Sequence, residues 1–403
     1  MAALMAAPMR ISKRAQRIEP FHVMEIAKAA ALLGQASAQS DKPMVYLNIG
    51  EPDFTAPPLV QQAAEKAIRD GVTQYTAATG IAPLRERISQ WYLSRFGLTI
   101  DAERIVITAG ASAALQLACL ALIDAGDEIL MPDPSYPCNR QFVSAADGKP
   151  VLIPASAAER FQLSAASVAA HWKPGRTRGV LLASPSNPTG TSIHPDELRR
   201  IHGLVAERGG VTIVDEIYLG LGFDAQYGHS ALAIDESVIS INSFSKYFSM
   251  TGWRLGWMVI PKQLVAPIER LAQNLFICPS TIAQHAALAC FEDDSIAEYE
   301  RRRDAFRQRR DYLVPALNGI GLQVPVMPDG AFYAWADCSQ ACARLGVADS
   351  WELAFALMEQ AHVAVTPGRD FGQAETGRFI RFSSASSMAQ LQTAVARLQT
   401  LLG

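Results

Sequence analysis

The sequence predicts an α/β protein with a large domain, built on a mostly parallel sheet between helices, and a smaller α+β domain. Between residues 58 and 294, short apolar segments rich in β-branched residues alternate with helical segments, which is typical of a parallel sheet covered by helices on both faces. After residue 295 the order changes to a charged helix followed by further strands and helices. The length of 403 residues also favours two domains over one core.

These patterns predict three parts of the chain. Residues 1–20 are expected to be an N-terminal arm with little structure of its own. Residues 58–294 form the large domain, and residues 21–57 together with 295–403 form the small one. The charged segment 298–317 is predicted to be a helix that bridges the two domains, with Pro315 limiting its last turn.

The large domain is predicted from the alternation of apolar strands and helices that begin near a proline or a small residue. Its strands are expected at 105–108, 128–131, 151–154, 179–183, 211–214, 238–241 and 255–260. Its helices are expected at 58–70, 83–96, 113–123 and 195–207, with further helical segments over 261–291.

The small domain is predicted from shorter runs of the same two kinds. Its strands are expected at 45–49, 322–326, 332–336, 363–366 and 379–383. Its helices are expected at 21–33, 350–360 and 388–401, in addition to the bridging helix.

Composition excludes several classes of function. The formal net charge of −3 gives no reason to expect nucleic acid as a partner. The longest apolar run, 113–123, is too short for a membrane span and includes Gln116. The six cysteines form no C-x-x-C pair and no metal-site pattern, and several lie in apolar segments. We therefore expect no metal and a reducing, cytoplasmic location.

The segment 239–260 (ISINSFSKYFSMTGWRLGWMVI) contains a lysine in an unusual setting. Lys246 is flanked by Phe244, Tyr247 and Phe248, and burial favours the neutral, nucleophilic amine. The two serines before it and the arginine after it could hold a phosphate. An imine-forming lysine beside a phosphate site is what a pyridoxal phosphate enzyme needs.

Two other interpretations of this segment remain open from these residues alone. Lys246 could be a surface lysine in a strand–loop–strand unit. The sequence 243–246 (SFSK) also matches the S-x-x-K motif of serine–lysine hydrolases, although the S-D-N and K-T-G motifs that accompany it are absent. A third pattern, G-x-G-x-x-A at 220–225, lacks the helix that a dinucleotide-binding fingerprint requires.

Polar residues follow the ends of several predicted strands. Ser112, Asn187, Asp215 and Lys246 all stand just past such ends. Ligands bind at the carboxyl ends of parallel strands, and the helix start at 110–112 offers free N–H groups suited to an anion. We therefore expect these side chains to form one site.

Together these segments resemble the class I/II aminotransferases, which have fold type I of the pyridoxal phosphate enzymes. The matching motifs extend from 50–54 (GEPDF) to Arg381 and so cover nearly the whole chain. The resemblance implies a pyridoxal 5'-phosphate enzyme of amino acid metabolism. It would move the amino group of an L-amino acid to a 2-oxo acid in two half-reactions, as a homodimer with shared active sites.

The resemblance also implies roles for residues around the cofactor ring. Lys246 would bind the cofactor as a Schiff base and afterwards move the proton between the substrate α-carbon and the cofactor. Asp215 would pair with the pyridine nitrogen, and Tyr218 and Asn187 with the phenolic oxygen. Tyr136 would stack on the ring.

Further roles concern the two anionic groups of the reactants. The phosphate would be held by Ala111, Ser112, Ser243, Ser245 and Arg254 of one chain and by Tyr75 of the neighbouring subunit. The substrate carboxylate would be bound by Gly50, Asn187 and Arg381. Arg378 has no such match and is expected to be a solvated charge.

Two departures from the family pattern bear on the substrate. Ser112 stands where many aspartate-specific relatives carry lysine, and Asn139 stands where many relatives have a second tyrosine. We therefore expect a neutral or aromatic amino acid, with 2-oxoglutarate or pyruvate as acceptor. Phe21, Tyr333 and Trp335 could line an apolar pocket or belong to the core.

Two alternative functions share this resemblance. The same site could catalyse β-elimination as a C–S lyase, since the cofactor carries the chemistry. A transcriptional regulator with an aminotransferase-like domain would carry a DNA-binding module, and the roughly 45 residues before the 50–54 motif show no helix-turn-helix pattern.

Overall fold

The computed structural model describes residues 9–20 and 22–403. Its strands are short and are numbered here in chain order. They are β1 (Val45–Tyr46), β2 (Ile105–Thr108), β3 (Glu128–Asp133), β4 (Lys149–Pro154), β5 (Thr177–Ala183), β6 (Val211–Asp215), β7 (Ile239–Ser243), β8 (Gly256–Val259), β9 (Tyr333–Asp337), β10 (Val363–Ala364), β11 (Thr366–Pro367) and β12 (Phe379–Ser383).

The helices are distributed over the same range. They are α1 (Lys13–Arg17), α2 (Val23–Ser37), α3 (Pro58–Arg69), α4 (Ala82–Phe96), α5 (Gly110–Leu122), α6 (Pro137–Ala145), α7 (Ala165–His171), α8 (Pro195–Glu207), α9 (Lys262–Leu275), α10 (Thr281–Leu288), α11 (Asp293–Gly319), α12 (Ser339–Leu345), α13 (Ser350–Ala356) and α14 (Met388–Leu402).

A seven-stranded sheet confirms the predicted α/β architecture. Its order is β2-β8-β7-β6-β5-β3-β4. Neighbouring strands are parallel except for β8, which runs antiparallel to both β2 and β7. The strands are apolar because helices cover both faces. The carboxyl ends of β5, β6 and β7 meet at one edge, which positions the site described below.

Two smaller sheets lie elsewhere in the chain. β1 pairs in parallel with β10, and β12 pairs antiparallel with both β11 and β9. In this second sheet Arg381 is opposite Trp335 on one side and Thr366 on the other. The predicted strand 363–366 is therefore two short strands that serve different sheets.

Several predicted elements differ from the structure for identifiable reasons. The segment 322–326 is not a strand, since only Gln323 forms a bridge, with Asp337, and Pro325 has no N–H to donate. The strand at 45–49 ends at Tyr46. Helix α13 ends at Ala356 and continues as a π-helical turn over Leu357–Ala361. α6 and α7 were not predicted, because the prolines and serines at their starts also fit turns.

An aromatic core lies beneath the segment that carries Lys246. Phe244 and Phe248 are buried and lie 5.0 Å apart between ring centroids. Trp257 packs on Phe244 at 4.9 Å, and Trp91 contacts Phe248 at 5.6 Å. Each buried aromatic side chain contributes about 2–3 kcal/mol of transfer free energy. This packing holds the loop after β7 in one conformation.

The long helix α11 contributes to two apolar clusters. Tyr299 and Phe306 belong to the aromatic core, whereas Leu313 and Leu317 pack with β9, β12 and α14 in a second cluster. Pro315 lies inside the helix near its carboxyl end. The boundaries given above for the domains stay a prediction.

The arm contains more structure than expected. Ser12 caps α1, with its hydroxyl accepting from the backbone N–H of Ala15 at 3.2 Å. Arg14 and Arg17 form ion pairs with Asp147. In the part of the chain that the structure describes, no helix is long and apolar enough to cross a membrane.

Candidate active site

A cavity of about 540 Å³ opens at the carboxyl edge of the seven-stranded sheet. Strands β5, β6 and β7 and the start of α5 form its floor, and α2 and β12 contribute to its walls. Every predicted site residue except Tyr75 lines it, namely Gly50, Ala111, Ser112, Tyr136, Asn187, Asp215, Tyr218, Ser243, Ser245, Lys246, Arg254 and Arg381.

The amine of Lys246 lies at the centre of this cavity. It donates a hydrogen bond of 2.6 Å to the backbone oxygen of Gly50 and lies 5.8 Å from the ring centroid of Tyr218. Burial lowers the pKa of Lys246 to about 8, assisted by Arg381 and Arg254 and opposed by Glu51. About a tenth of the amine is therefore in its neutral, nucleophilic form at pH 7.

Asp215 ends β6 and faces the cavity as a buried carboxyl group. Its Oδ1 accepts a hydrogen bond of 3.2 Å from the backbone N–H of Ile217. Burial raises the pKa of Asp215 to about 6. In residues 9–20 and 22–403 no cationic side chain forms an ion pair with it. A cationic N–H from a ligand would satisfy this carboxylate.

Two tyrosine hydroxyls meet on the cavity wall. Tyr218 and Tyr333 are both buried, and their hydroxyl oxygens lie 2.8 Å apart. Burial raises the pKa of each above its ordinary value. Both remain neutral phenols, so one of them keeps a free proton or lone pair for a ligand oxygen.

Arg381 is held rigidly although it is buried. One terminal nitrogen donates to Asn187 Oδ1 at 2.8 Å. The other donates to the backbone oxygen of Asn48 at 2.9 Å and to Thr366 Oγ1 at 3.2 Å. The guanidinium also lies 4.5 Å from the ring centroid of Tyr333. A fixed, planar guanidinium at a cavity wall suits two-bond recognition of a carboxylate.

The start of α5 and Arg254 form a subsite suited to an anion. The first N–H groups of a helix have no acceptor within it. Gly110 has φ +80°, and a Cβ there would lie 2.8 Å from Arg254 Nη2, so glycine allows the guanidinium to approach the helix start. Nearby, Ser243 Oγ accepts from the backbone N–H of Ser245 at 3.0 Å. This arrangement favours a phosphate group.

These features fit pyridoxal 5'-phosphate. The cavity combines a partly neutral lysine, a buried carboxylate without a cationic partner, neutral phenols and an anion subsite. Tyr136, at the N-cap of α6, adds an aromatic ring to the lining of the cavity. The donor set therefore matches the ring nitrogen, ring oxygen and phosphate of this cofactor.

Some predicted residues lie elsewhere. Tyr75 is outside the cavity and is 84% exposed. Trp335 stacks on Phe379 at 5.3 Å and lines a different cavity. Arg378 forms an ion pair with Asp337 and is half-exposed. Phe21 lies outside the described residues.

Other residues line the cavity without having been predicted. Asn48 holds Arg381 through its backbone oxygen, which no side-chain pattern could reveal. In the sequence, the pattern of apolar residues in α2 does not differ from that of any buried helix face. The additional lining residues include Val23, Met24, Ala27, Asn48, Ile49, Glu51, Leu115 and Thr251.

Comparisons with known proteins identify the family of this chain. The family "Aminotransferase class I and II" matches residues 42–398. The chain is 36% identical to valine–pyruvate aminotransferase of Mycobacterium tuberculosis over 98% of both chains. It is 34% identical to an aspartate aminotransferase of Rhizobium meliloti over 95% of both.

Solved structures also show similarity to aminotransferases. A crystal structure of an aminotransferase from Mycobacterium tuberculosis superposes with a TM-score of 0.91 at 36% identity, covering 98% of this chain and 99% of that one. Members of the matched family depend on pyridoxal phosphate, and the cavity described above fits this cofactor. The chain therefore belongs to the class I and II aminotransferases, enzymes that transfer amino groups with pyridoxal phosphate.

Proposed function

We propose that this enzyme transfers the amino group of a neutral or aromatic L-amino acid to 2-oxoglutarate or pyruvate. One observation supports a neutral or aromatic amino acid as the donor. Among the described residues, the only lysines or arginines that line the cavity are Lys246, Arg254 and Arg381. Each has a role in holding the cofactor or the substrate α-carboxylate, so none remains for a second carboxylate on the donor. The same argument favours pyruvate over 2-oxoglutarate as the acceptor, because donor and acceptor enter the same cavity.

The wall next to Lys246 supports the same choice. Val23, Met24 and Ala27 of α2, together with Ile49, present apolar surface to the cavity. Ser112, at the start of α5, brings no charge. A relative 36% identical to this chain is a valine–pyruvate aminotransferase, which agrees with a neutral donor.

The geometry of the site supports the proposed cofactor contacts. When bound, pyridoxal phosphate supplies an electron sink for charge that develops on the substrate α-carbon. Asp215 keeps the ring nitrogen protonated, and Tyr218 and Asn187 hold the ring oxygen. Tyr136 covers one face of the ring. The phosphate is held by Ala111, Ser112, Ser243, Ser245 and Arg254.

Lys246 has two successive tasks in this proposal. With pyridoxal phosphate bound, its neutral amine would hold the cofactor covalently. The same amine, when free, would be the base that moves the proton between the substrate α-carbon and the cofactor. Its lowered pKa suits both tasks, because a general base works best with a pKa near the working pH.

Arg381 binds and orients the substrate carboxylate. Its two terminal nitrogens are fixed by Asn187 and Asn48, so little side-chain entropy is lost when the carboxylate is bound. Gly50 contributes its backbone N–H to the same group. The substrate α-carbon is thereby held next to Lys246, which already contacts the backbone oxygen of Gly50.

We further propose that the enzyme is a homodimer in which Tyr75 reaches the phosphate bound by its neighbour. The exposed position of Tyr75, outside its own cavity, supports this. The six cysteines are free thiols, which is compatible with the reducing cytoplasm as the location.

A donor–acceptor screen tests the proposed function. The purified enzyme is incubated with each of the common L-amino acids and with either 2-oxoglutarate or pyruvate, and the 2-oxo acid products are measured. Neutral or aromatic donors should give the highest kcat/KM. A preference for aspartate as the donor would contradict the proposal, whereas activity with glutamate is the reverse of transfer to 2-oxoglutarate and would not. Ammonia released from cystathionine without an added 2-oxo acid would indicate a C–S lyase instead.

A further inference from the structure

The loop between α3 and α4 carries an aromatic side chain that projects into solvent. Tyr75 lies in the segment 70–81, which has no helix or strand. Two large apolar residues a few positions before it, Ile68 and Val72, are also exposed. Exposed apolar side chains along one segment suit contact with a second copy of this chain.

This loop is held from below by one buried amide. Gln284 of α10 is 0% exposed. Its Oε1 accepts from the backbone N–H of Ile81 at 2.8 Å, and its Nε2 donates to Thr76 Oγ1 at 3.0 Å and to the backbone oxygen of Pro279 at 3.1 Å. The amide thus binds the loop on both sides of its bend, one contact being adjacent to Tyr75.

Close packing reinforces these hydrogen bonds. Gly80 has φ +87°, and a Cβ there would lie 3.0 Å from Gln284 Oε1 and 2.3 Å from a side-chain carbon of Ile107. Thr281 Oγ1 also donates to the backbone oxygen of Gln74 at 2.6 Å. A fully satisfied polar group in a buried position fixes one geometry, because every alternative loop position would leave it unpaired.

We propose that Gln284 is a positioning residue that acts in the neighbouring subunit's active site by holding the Tyr75 loop in its binding geometry. The inference rests on the proposed shared site, to which it adds the group that pre-organises the donated tyrosine. Gln284 itself does not line the cavity of its own chain. Its effect must therefore pass through Tyr75 and appear as cofactor affinity.

The test compares cofactor dissociation constants of the holoenzyme and its variants, measured by dialysis and cofactor absorbance. Tyr75→Phe should weaken binding about tenfold, the effect of one lost hydrogen bond to a charged group. Gln284→Met should weaken it by about three- to tenfold, and the double variant no more than Tyr75→Phe alone, because both remove the same contact.

Two further variants keep the test decisive. Thr76→Val removes one acceptor of Gln284 and should weaken binding slightly in the same non-additive way, even if Gln284→Met does not fold. Thr177→Val is the stability control, because Thr177 Oγ1 accepts a backbone hydrogen bond at 2.9 Å at the amino end of β5. It should lower the melting temperature without changing cofactor affinity.

The outcomes distinguish a failure of the positioning role of Gln284 from a failure of the proposed shared active site. If Tyr75→Phe weakens binding but Gln284→Met and Thr76→Val do not, the positioning role is wrong and the shared site stands. Multiplicative effects in the double variant would also overturn it, as would an equal loss of affinity in Thr177→Val. An unchanged affinity in Tyr75→Phe would overturn the shared site and this inference together.

Discussion

The guanidinium of Arg381 donates a hydrogen bond of 2.8 Å to the side-chain oxygen of Asn187, 194 positions earlier in the sequence. Arg381 is carried by β12 of the three-stranded sheet, whereas Asn187 follows β5 of the seven-stranded sheet. The contact joins the proposed carboxylate clamp to a proposed ligand of the cofactor oxygen. If both proposed roles hold, substrate binding and cofactor orientation are coupled through the amide of Asn187.

Replacing Arg381 by lysine should mainly raise the KM for the amino acid. Lysine keeps the charge but loses the planar pair of donors and the bonds to Asn187 and Asn48. The loss of one charge-assisted hydrogen bond predicts an increase of about 10- to 100-fold. Steady-state kinetics with a saturating 2-oxo acid measure it.

Arg378→Lys is the matched control for this prediction. Arg378 precedes the same strand, but it is half-exposed and pairs with Asp337, so KM should change by less than about twofold. An unchanged KM in Arg381→Lys would remove Arg381 from the clamp.

Replacing Asp215 by asparagine should stabilise the cofactor-free protein at neutral pH. The folded-state pKa is raised from 3.8 to about 6 by burial, so the folded state binds more protons than the unfolded state between these values. The stability that the protonated Asp215 carboxyl contributes is therefore lost as pH rises through this window. The variant should gain about 1–3 kcal/mol at pH 7 and nothing below about pH 4. Urea unfolding at both pH values measures it.

Asp235→Asn is the control, and its effect on stability should have the opposite sign. Hydrogen bonds from Ser237 lower the pKa of Asp235, so removal of this carboxylate should reduce stability at neutral pH.

In the cofactor-loaded enzyme, Asp215→Asn should lower kcat by at least about 100-fold, because nothing then keeps the ring nitrogen protonated. A stabilised variant with full activity would exclude Asp215 from the ring site.

The rate at which the cofactor-free enzyme captures pyridoxal phosphate should depend on the protonation of Lys246. Because its pKa is lowered to about 8, the neutral amine increases about tenfold per pH unit below that value and levels off above it. Stopped-flow absorbance between pH 6 and pH 10 follows the capture. A rate that still rises steeply above pH 9 would indicate an ordinary lysine.

Introducing lysine at Ser112 should shift the donor preference toward dicarboxylic amino acids. The side chain lines the cavity, and an ammonium there could pair with a second carboxylate. The ratio of kcat/KM for aspartate to that for valine should rise by about tenfold. This ratio does not depend on cofactor affinity, which the substitution could also change. An unchanged ratio would place the substrate side chain away from Ser112.

The large-domain sheet could be predicted because its strands are continuous apolar runs separated by helices. Their order in the sheet and the antiparallel direction of β8 depend on long-range pairing, which no local pattern encodes. The prediction of a strand at 322–326 was wrong for a related reason. Leu322 and Val324 are buried by packing in an irregular segment, and alternating apolar residues look the same in either case.

In the site, side chains were easier to predict than the backbone groups that position them. Lys246, Asp215 and Arg381 carry chemistry that their residue types suggest. The backbone oxygens of Gly50 and Asn48, which contact two of them, leave no signature in residue type. Gln284 likewise makes three hydrogen bonds with residues that only the folded chain brings together.

Single-turnover absorbance tests whether Lys246 holds the cofactor and moves the proton. The loaded enzyme is mixed with an L-amino acid without a 2-oxo acid. Lys262→Ala, an exposed lysine near the same segment, serves as control beside Lys246→Ala. We predict that wild type and Lys262→Ala lose the visible absorbance of lysine-bound cofactor and release about one 2-oxo acid per site. Lys246→Ala should show neither this absorbance nor turnover, whereas normal amino transfer by Lys246→Ala would contradict the account.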